Sequence, residues 1–133
     1  MKESVNIIFL ALLIWREARG ESVGVKIAVA WVVRNRVNKP AWWGRSWMGV
    51  IFKPWQFSGL TATGDPNLSK WPHETEPAWL DSLEAAERVY NGTVDDPTND
   101  ATYYHDHSIT KPTSWGNTIR PTVKIGKIQF YRG

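Results

Sequence analysis

Two glutamates four residues apart, Glu17 and Glu21, stand in a charged heptapeptide, Trp15-Arg16-Glu17-Ala18-Arg19-Gly20-Glu21, between two apolar runs. A carboxyl group that keeps its proton near neutral pH is what a glycosidase needs as its general acid. Placed in the last turn of a helix, Glu17 would feel two effects that raise its pKa: desolvation by the preceding apolar run and the negative end of the helix dipole. Arg16 and Arg19 would pull the other way. By spacing alone the plainer reading, a solvated i,i+4 pair among arginines at a helix end, outweighs the catalytic one. A second constellation is His105 and His107, which alternation places on one face of a strand. Two histidines at i,i+2 can share an ion, but a third ligand is wanting: Cys is absent and Asp106 points the other way. No metal is therefore expected, and packing or sugar contact is the favoured role for the histidines.

The elements that must position these groups follow from the apolar pattern. Residues 4–18 read as a first helix and 22–38 as a second, with Gly20 in the left-handed conformation that ends the first and Ser22 capping the second. From Val23 to Val33 the second helix is apolar on nearly all sides, with Lys26 its single charge, so it should be the central buried helix. Arg34 and Arg36 read as salt-bridge partners or surface charges. A loop over 40–49 enters a short helix, Trp47 to Phe52, capped by Ser46 and ended by Lys53-Pro54. The stretch from Gly59 to Pro77 is a long polar loop carrying Asp65, Trp71, His73, Glu74 and Glu76. Pro77 opens a helix running to Asn91 and stopped by Gly92, its apolar side formed by Trp79, Leu80, Leu83, Ala86, Val89 and Tyr90. Ala101 to His105 reads as a strand with Tyr103, His105 and His107 on one face and Tyr104 and Asp106 on the other. Pro112 to Trp115 reads as a turn, and a last strand runs from Val123 through Gly126 to Tyr131.

At 133 residues the chain is expected to be a single domain over 1–133, without a separate binding unit. The net charge of +3 suits any anionic polymer. No concentrated Lys/Arg block is present, which argues against a nucleic-acid partner. Without cysteine there is no disulfide, thiolate metal site or thiol nucleophile, so the chain can work on either side of a membrane. Nine tryptophans exceed what a small core needs, and exposed indoles are platforms for the apolar faces of sugars. The outline Lys2, an apolar stretch and small residues at Ala18 and Gly20 looks like a signal peptide, but cleavage there would remove Glu17. The stretch is also shorter than the roughly 20 residues a bilayer span requires. No signal peptide and no membrane insertion are expected.

Glu17-Ala18-Arg19-Gly20-Glu21, then Ala28-Val29-Ala30 and Asn35-Arg36-Val37, resembles the opening signature of the SleB-like cell-wall hydrolases, the spore-cortex-lytic enzymes and their phage relatives. The likeness resumes in register at Gln56-Phe57-Ser58, at Asp96-Pro97-Thr98, at Ala101-Thr102-Tyr103-Tyr104-His105, at Trp115 and at the Ile125-Gly126 to Phe130-Tyr131 ending. It does not reach the loop 59–77. Two positions depart from the pattern: Ile128 stands where histidine is usual, and Tyr103 replaces a frequent histidine. The resemblance implies an α+β, lysozyme-like fold, mainly helical, with a small antiparallel sheet in the C-terminal third. It implies Glu17 as the catalytic residue and Glu21, Gln56, Phe57, Ser58, Tyr103, Tyr104, His105 and Trp115 as substrate-binding residues. It needs neither cofactor nor metal.

The implied reaction is cleavage of the β-1,4 bond between N-acetylmuramic acid and N-acetylglucosamine in peptidoglycan. In a lytic transglycosylase one glutamate first protonates the glycosidic oxygen, then takes the proton of the muramoyl 6-hydroxyl, which attacks C1 and gives a 1,6-anhydro product. Retaining and inverting glycosidases need two carboxylates at set separations, and Glu21 is too near Glu17 in the chain to be placed across a sugar from it. One-carboxylate chemistry suits the residues present. Hydrolysis with a second acid from the loop 59–77, a His-based metal-dependent amidase and a non-catalytic glycan-binding domain are the alternatives. The expected setting is that of a monomeric phage endolysin. It would collect in the host cytoplasm and meet the glycan strands of the wall after the inner membrane is breached.

Overall fold

The computed structural model describes residues 2–53 and 70–133. Four helices and a small sheet occur among them: α1 (Lys2–Ala18), α2 (Val23–Asn38), α3 (Trp47–Ile51) and α4 (Pro77–Asn91), then β1 (Tyr103–Asp106), β2 (Arg120–Ile125) and β3 (Ile128–Arg132). A 3-10 turn over Thr113–Trp115 lies between β1 and β2. This is the α+β architecture expected, with the sheet in the C-terminal third. No helix among the described residues is long and apolar enough to cross a membrane.

The caps follow local chemistry. Ser22 Oγ accepts the Val25 amide at 3.3 Å and starts α2, and Ser46 Oγ accepts the Gly49 amide at 3.0 Å and starts α3. Gly92, at φ 71°, ends α4 in the left-handed conformation. Gly20 differs from expectation: α1 stops at Ala18, and Gly20 is absent from the positive-φ glycines. The turn is closed instead by the Glu21 amide donating to Ala18 O at 3.0 Å.

One core unites all four helices with the sheet. Its largest fully buried side chains include Leu10, Leu13 and Ile14 of α1, Val25, Val29, Val32 and Val33 of α2, Val50 and Ile51 of α3, Val89 of α4 and Phe130 of β3. Each such residue stabilises the fold by about 1.5–3 kcal/mol relative to exposure. α2 is the buried helix its all-round apolar surface requires, although Ile27 is half-buried and Val23 exposed. On α4 the inward stripe is made of the small residues Ser82, Ala85 and Ala86 with Val89, while Leu80 is half exposed rather than part of the core.

The sheet is antiparallel in the order β1-β3-β2. What reads as one last strand is a hairpin, β2 turning into β3 with Ile125 opposite Ile128. Gly126, at φ 57°, is the first of the two turn residues, where hairpins recruit glycine for its positive φ. The turn rests against α2: a Cβ on Gly126 would stand 3.1 Å from Val25 Cγ2. Register then fixes the faces, Tyr104 lying opposite Phe130 and Tyr103 opposite Tyr131.

Candidate active site

Glu17 occupies the last turn of α1, half-buried where the helix gives way to the turn into α2. That turn is held by Lys26, a buried lysine whose Nζ donates to Glu21 O at 2.6 Å and Arg19 O at 3.3 Å. Neighbouring side chains of α1 reach the segment that precedes α4. Arg16 donates to Lys70 O through Nε and Nη2 at 3.2 and 3.0 Å and lies over the Trp71 ring at 4.5 Å. Trp15 Nε1 donates to Glu76 Oε2 at 2.5 Å, and the Arg19 guanidinium lies over the Trp15 ring.

Across from α1, Tyr104 of β1 donates its hydroxyl to Glu17 Oε1 at 3.4 Å. Its ring packs on Phe130 with centroids 5.9 Å apart. Burial first, and then the neighbouring Glu17, push the Tyr104 hydroxyl well above the ordinary phenol range, against the pull of Arg36. At neutral pH Tyr104 is thus a neutral donor aimed at the carboxylate.

The motif Asn35-Arg36 explains why β1 passes at this height. Asn35 Nδ2 donates to Ala101 O at 3.0 Å and to Asp96 Oδ2 at 3.0 Å, and Arg36 Nε donates to Thr102 O at 2.6 Å. Two polar residues late in an otherwise apolar helix therefore grip the backbone just ahead of Tyr103. Arg36 is not a surface charge: it is buried, with its guanidinium over Trp43, Tyr103 and Trp42. Burial lowers its pKa to about 10, partly offset by Tyr104 and Tyr103, so it stays charged at neutral pH. Arg34 likewise spends its Nη1 on Val89 O, at 2.6 Å, and lies over Trp31.

The segment 96–102 is itself braced. Asp96 Oδ1 accepts the Thr98 amide at 2.7 Å and the Thr98 hydroxyl at 2.6 Å, and Thr98 Oγ1 in turn accepts the Ala101 amide at 3.1 Å. Burial would raise the Asp96 pKa, but the hydrogen bonds from Thr98, Asn35 and Asp100 outweigh it and hold the carboxyl below its ordinary value.

Of the residues expected around substrate, Glu17 and Tyr104 come together. Glu21 lies half-buried in the turn, its carbonyl taken by Lys26. Tyr103, His105 and Trp115 assemble elsewhere, because the alternation that points Tyr104 at Glu17 sends them to the opposite face of the sheet. There Tyr103 packs on Trp115 at 5.0 Å and on Trp43 at 5.9 Å, and His105 lies 6.0 Å from Trp115. His105 Nε2 is 2.8 Å from the Tyr131 hydroxyl and its Nδ1 is 2.8 Å from Asp106 O. β1 ends at Asp106, so the regular i,i+2 pairing of His105 with His107 does not form, and His107 Nδ1 lies by Lys127 O. Among the described residues no group of three His, Cys, Asp or Glu is placed to hold a metal ion. Gln56, Phe57, Ser58 and the loop acid Asp65 lie outside the described residues. Glu76 is bonded to Trp15, which differs from Glu17 by about 200° around the helix, and so sits on another side of α1.

Asn35 and Arg36 position β1, and sequence reasoning read Arg36 as a salt-bridge partner or a surface charge. The available signal was a polar pair in a helix that is otherwise buried all round, where polar groups must find partners.

Residues 20–131 match the family model described as Cell Wall Hydrolase. The chain is 38% identical over 127 residues to the spore cortex-lytic enzyme of Bacillus subtilis, covering 94% of this chain and 37% of that protein. It is 36% identical over 126 residues to the spore cortex-lytic enzyme of Bacillus cereus, covering 94% of this chain and 43% of that protein. It therefore spans only about two fifths of the length of these relatives. Its fold is similar to that of the catalytic domain of the germination-specific lytic transglycosylase SleB from Bacillus anthracis. The TM-score is 0.74 at 30% identity over 96% of this chain and 93% of that one. The catalytic domain of the Bacillus cereus SleB protein gives a TM-score of 0.73 at 31% identity, over 99% of this chain and 91% of that one.

Proposed function

This chain belongs to the Cell Wall Hydrolase family, and from that premise we propose that it is a peptidoglycan lytic transglycosylase using Glu17 as its single catalytic carboxylate. The observation that carries the reading is the pairing of a half-buried helix-end carboxylate with a neutral phenol, Glu17 with Tyr104. The Tyr104 hydroxyl bonds Oε1 and so helps to orient the carboxyl group toward the substrate. In that role Glu17 donates a proton to the glycosidic oxygen between N-acetylmuramic acid and N-acetylglucosamine as the C1–O bond breaks. The resulting carboxylate then takes the proton of the muramoyl 6-hydroxyl, whose oxygen bonds to C1 and closes the 1,6-anhydro ring. No water is consumed and the carboxyl group is regenerated. Lytic transglycosylase is the activity in the name of the Bacillus anthracis domain, which supports the same chemistry here.

Mass analysis of the fragments released from purified sacculi in heavy-oxygen water tests the reaction. Anhydro ends without label are expected. Labelled reducing ends would reject the transglycosylase reading in favour of hydrolysis with a second acid. The resemblance to the family's phage relatives supports a role as an endolysin acting after membrane breach. Expression in a bacterium with and without a pore-forming partner tests that role, lysis without the partner being the adverse result.

A further inference from the structure

The largest cavity among those described lies away from Glu17, where the N-terminal end of α1 meets α3 and α4. Its volume is about 590 Å³, and Glu3, Asn6, Arg45, Trp47, Met48 and Tyr90 line it. That is within the size range of small-ligand pockets. Glu3 and Glu17 sit near opposite ends of α1, roughly 20 Å apart at the helical rise.

The lining has a particular chemistry. Glu3 and Arg45 bring opposite charges to the same cavity, both are exposed, and neither forms an ion pair with a described residue. Trp47 and Tyr90, centroids 4.8 Å apart and tilted at 46°, provide an aromatic floor. Asn6 is 6% exposed, and its Nδ2 donates to the Tyr90 hydroxyl at 3.2 Å. Its Oδ1 has no hydrogen-bond partner among the described residues and remains reachable by solvent. The cavity thus offers a carboxylate for an ammonium, a guanidinium for a carboxylate, an aromatic face that also favours a cation, and one acceptor for an N–H.

We propose that this cavity is a second ligand site, one that takes the zwitterionic end of a short peptide, with ammonium and carboxylate on one carbon. The source of that ligand rests on the cell-wall reading: peptide branches of peptidoglycan carry such ends. A branch held here would keep the domain on the polymer while Glu17 works on a sugar bond elsewhere along α1.

The test is a titration of the full chain with meso-diaminopimelate, following the Trp47 indole N–H by NMR, with pimelate and cadaverine as single-charge-type controls. Saturable shifts at Trp47 are expected with the zwitterion, and roughly tenfold or weaker binding of either control, since each lacks one charged hydrogen-bonding group. Arg45→Gln and Glu3→Gln, both at exposed positions, should each weaken binding roughly tenfold or more without moving the melting temperature. Absence of a saturable shift, equal binding of cadaverine, or undiminished binding by both variants would overturn the site. Binding is read without turnover. A chain that binds the zwitterion yet fails to cleave sacculi rejects the cell-wall activity and keeps the site; the reverse result keeps the activity and rejects the site.

Discussion

The two faces of the C-terminal sheet are built from nearly the same residue types and do different things. One face holds Tyr104 and Phe130 against the helices, and there the Tyr104 hydroxyl meets Glu17. The other gathers Tyr103, His105, Trp115 and Tyr131 with Trp43, and there the polar atoms bond to one another, as His105 does to Tyr131. Adjacent tyrosines of β1 are thereby divided between the Glu17 carboxyl group and the aromatic cluster. In a strand, one residue of register is the whole difference between touching the carboxylate and stacking behind it. Arg36 joins the two faces, since its guanidinium lies over Tyr103 while its charge acts on the Tyr104 hydroxyl.

The contrast breaks most sharply at Glu17. Glu17→Gln should fold normally and bind sacculi while turnover falls by about 10²–10⁴-fold, as for loss of a general acid–base group. Glu21→Gln is the matched control and should leave turnover within roughly threefold, because a neighbouring carboxylate that bonds no reacting atom contributes little to the barrier. If the two results are exchanged, the motif is right and the glutamate wrong. Next in size is the bridge: Arg36→Ala strands the Thr102 carbonyl and empties an aromatic cage, and should lower the unfolding free energy by about 3 kcal/mol in denaturant melts. Unchanged stability would mean that the grip on β1 is dispensable.

A paired substitution tests the faces themselves. Tyr104→Phe removes one hydrogen bond to Glu17 and should slow turnover roughly tenfold with little change in melting temperature. Tyr103→Leu should do the opposite, costing about 1–2 kcal/mol of stability with turnover near normal. A rate defect confined to the Tyr103 variant would reverse the assignment of faces. The smallest effect is expected at Asp96. Its folded pKa lies below the unfolded value, so its contribution is present above the unfolded pKa, about 4, and is lost as pH falls through the folded one. Asp96→Asn should therefore be less stable than the parent at pH 7, and the gap should close in acid. A gap that widens in acid would contradict the sign.

Much of this arrangement was legible in the sequence where one residue carries the instruction locally. Ser22, Ser46 and Gly92 mark helix ends by capping chemistry that needs no tertiary context, and the apolar continuity of Val23 to Val33 marks the buried helix. Three features were not legible, for three physical reasons. The division of the last strand into β2 and β3 turns on one positive φ at Gly126, in a run whose flanking residues all suit a strand. Leu80 fits the apolar spacing of α4, yet small residues form its close-packed stripe and Leu80 is left half exposed. The role of Arg36 depends on a carbonyl far along the chain, Thr102, which no local pattern announces. The same holds for the site: Glu17 and Tyr104 were each singled out, but that they meet while Tyr103 and His105 turn away is a matter of register.

The buried Lys26 that ties the turn behind Glu17 bears on ionic strength. Its partners are carbonyls rather than a carboxylate, and it is 2% exposed, so mobile ions have no path between donor and acceptors. The net charge of +3, by contrast, acts through water that salt can enter. Salt therefore divides the molecule in two: it weakens whatever the surface charge holds while the turn behind Glu17 keeps its shape.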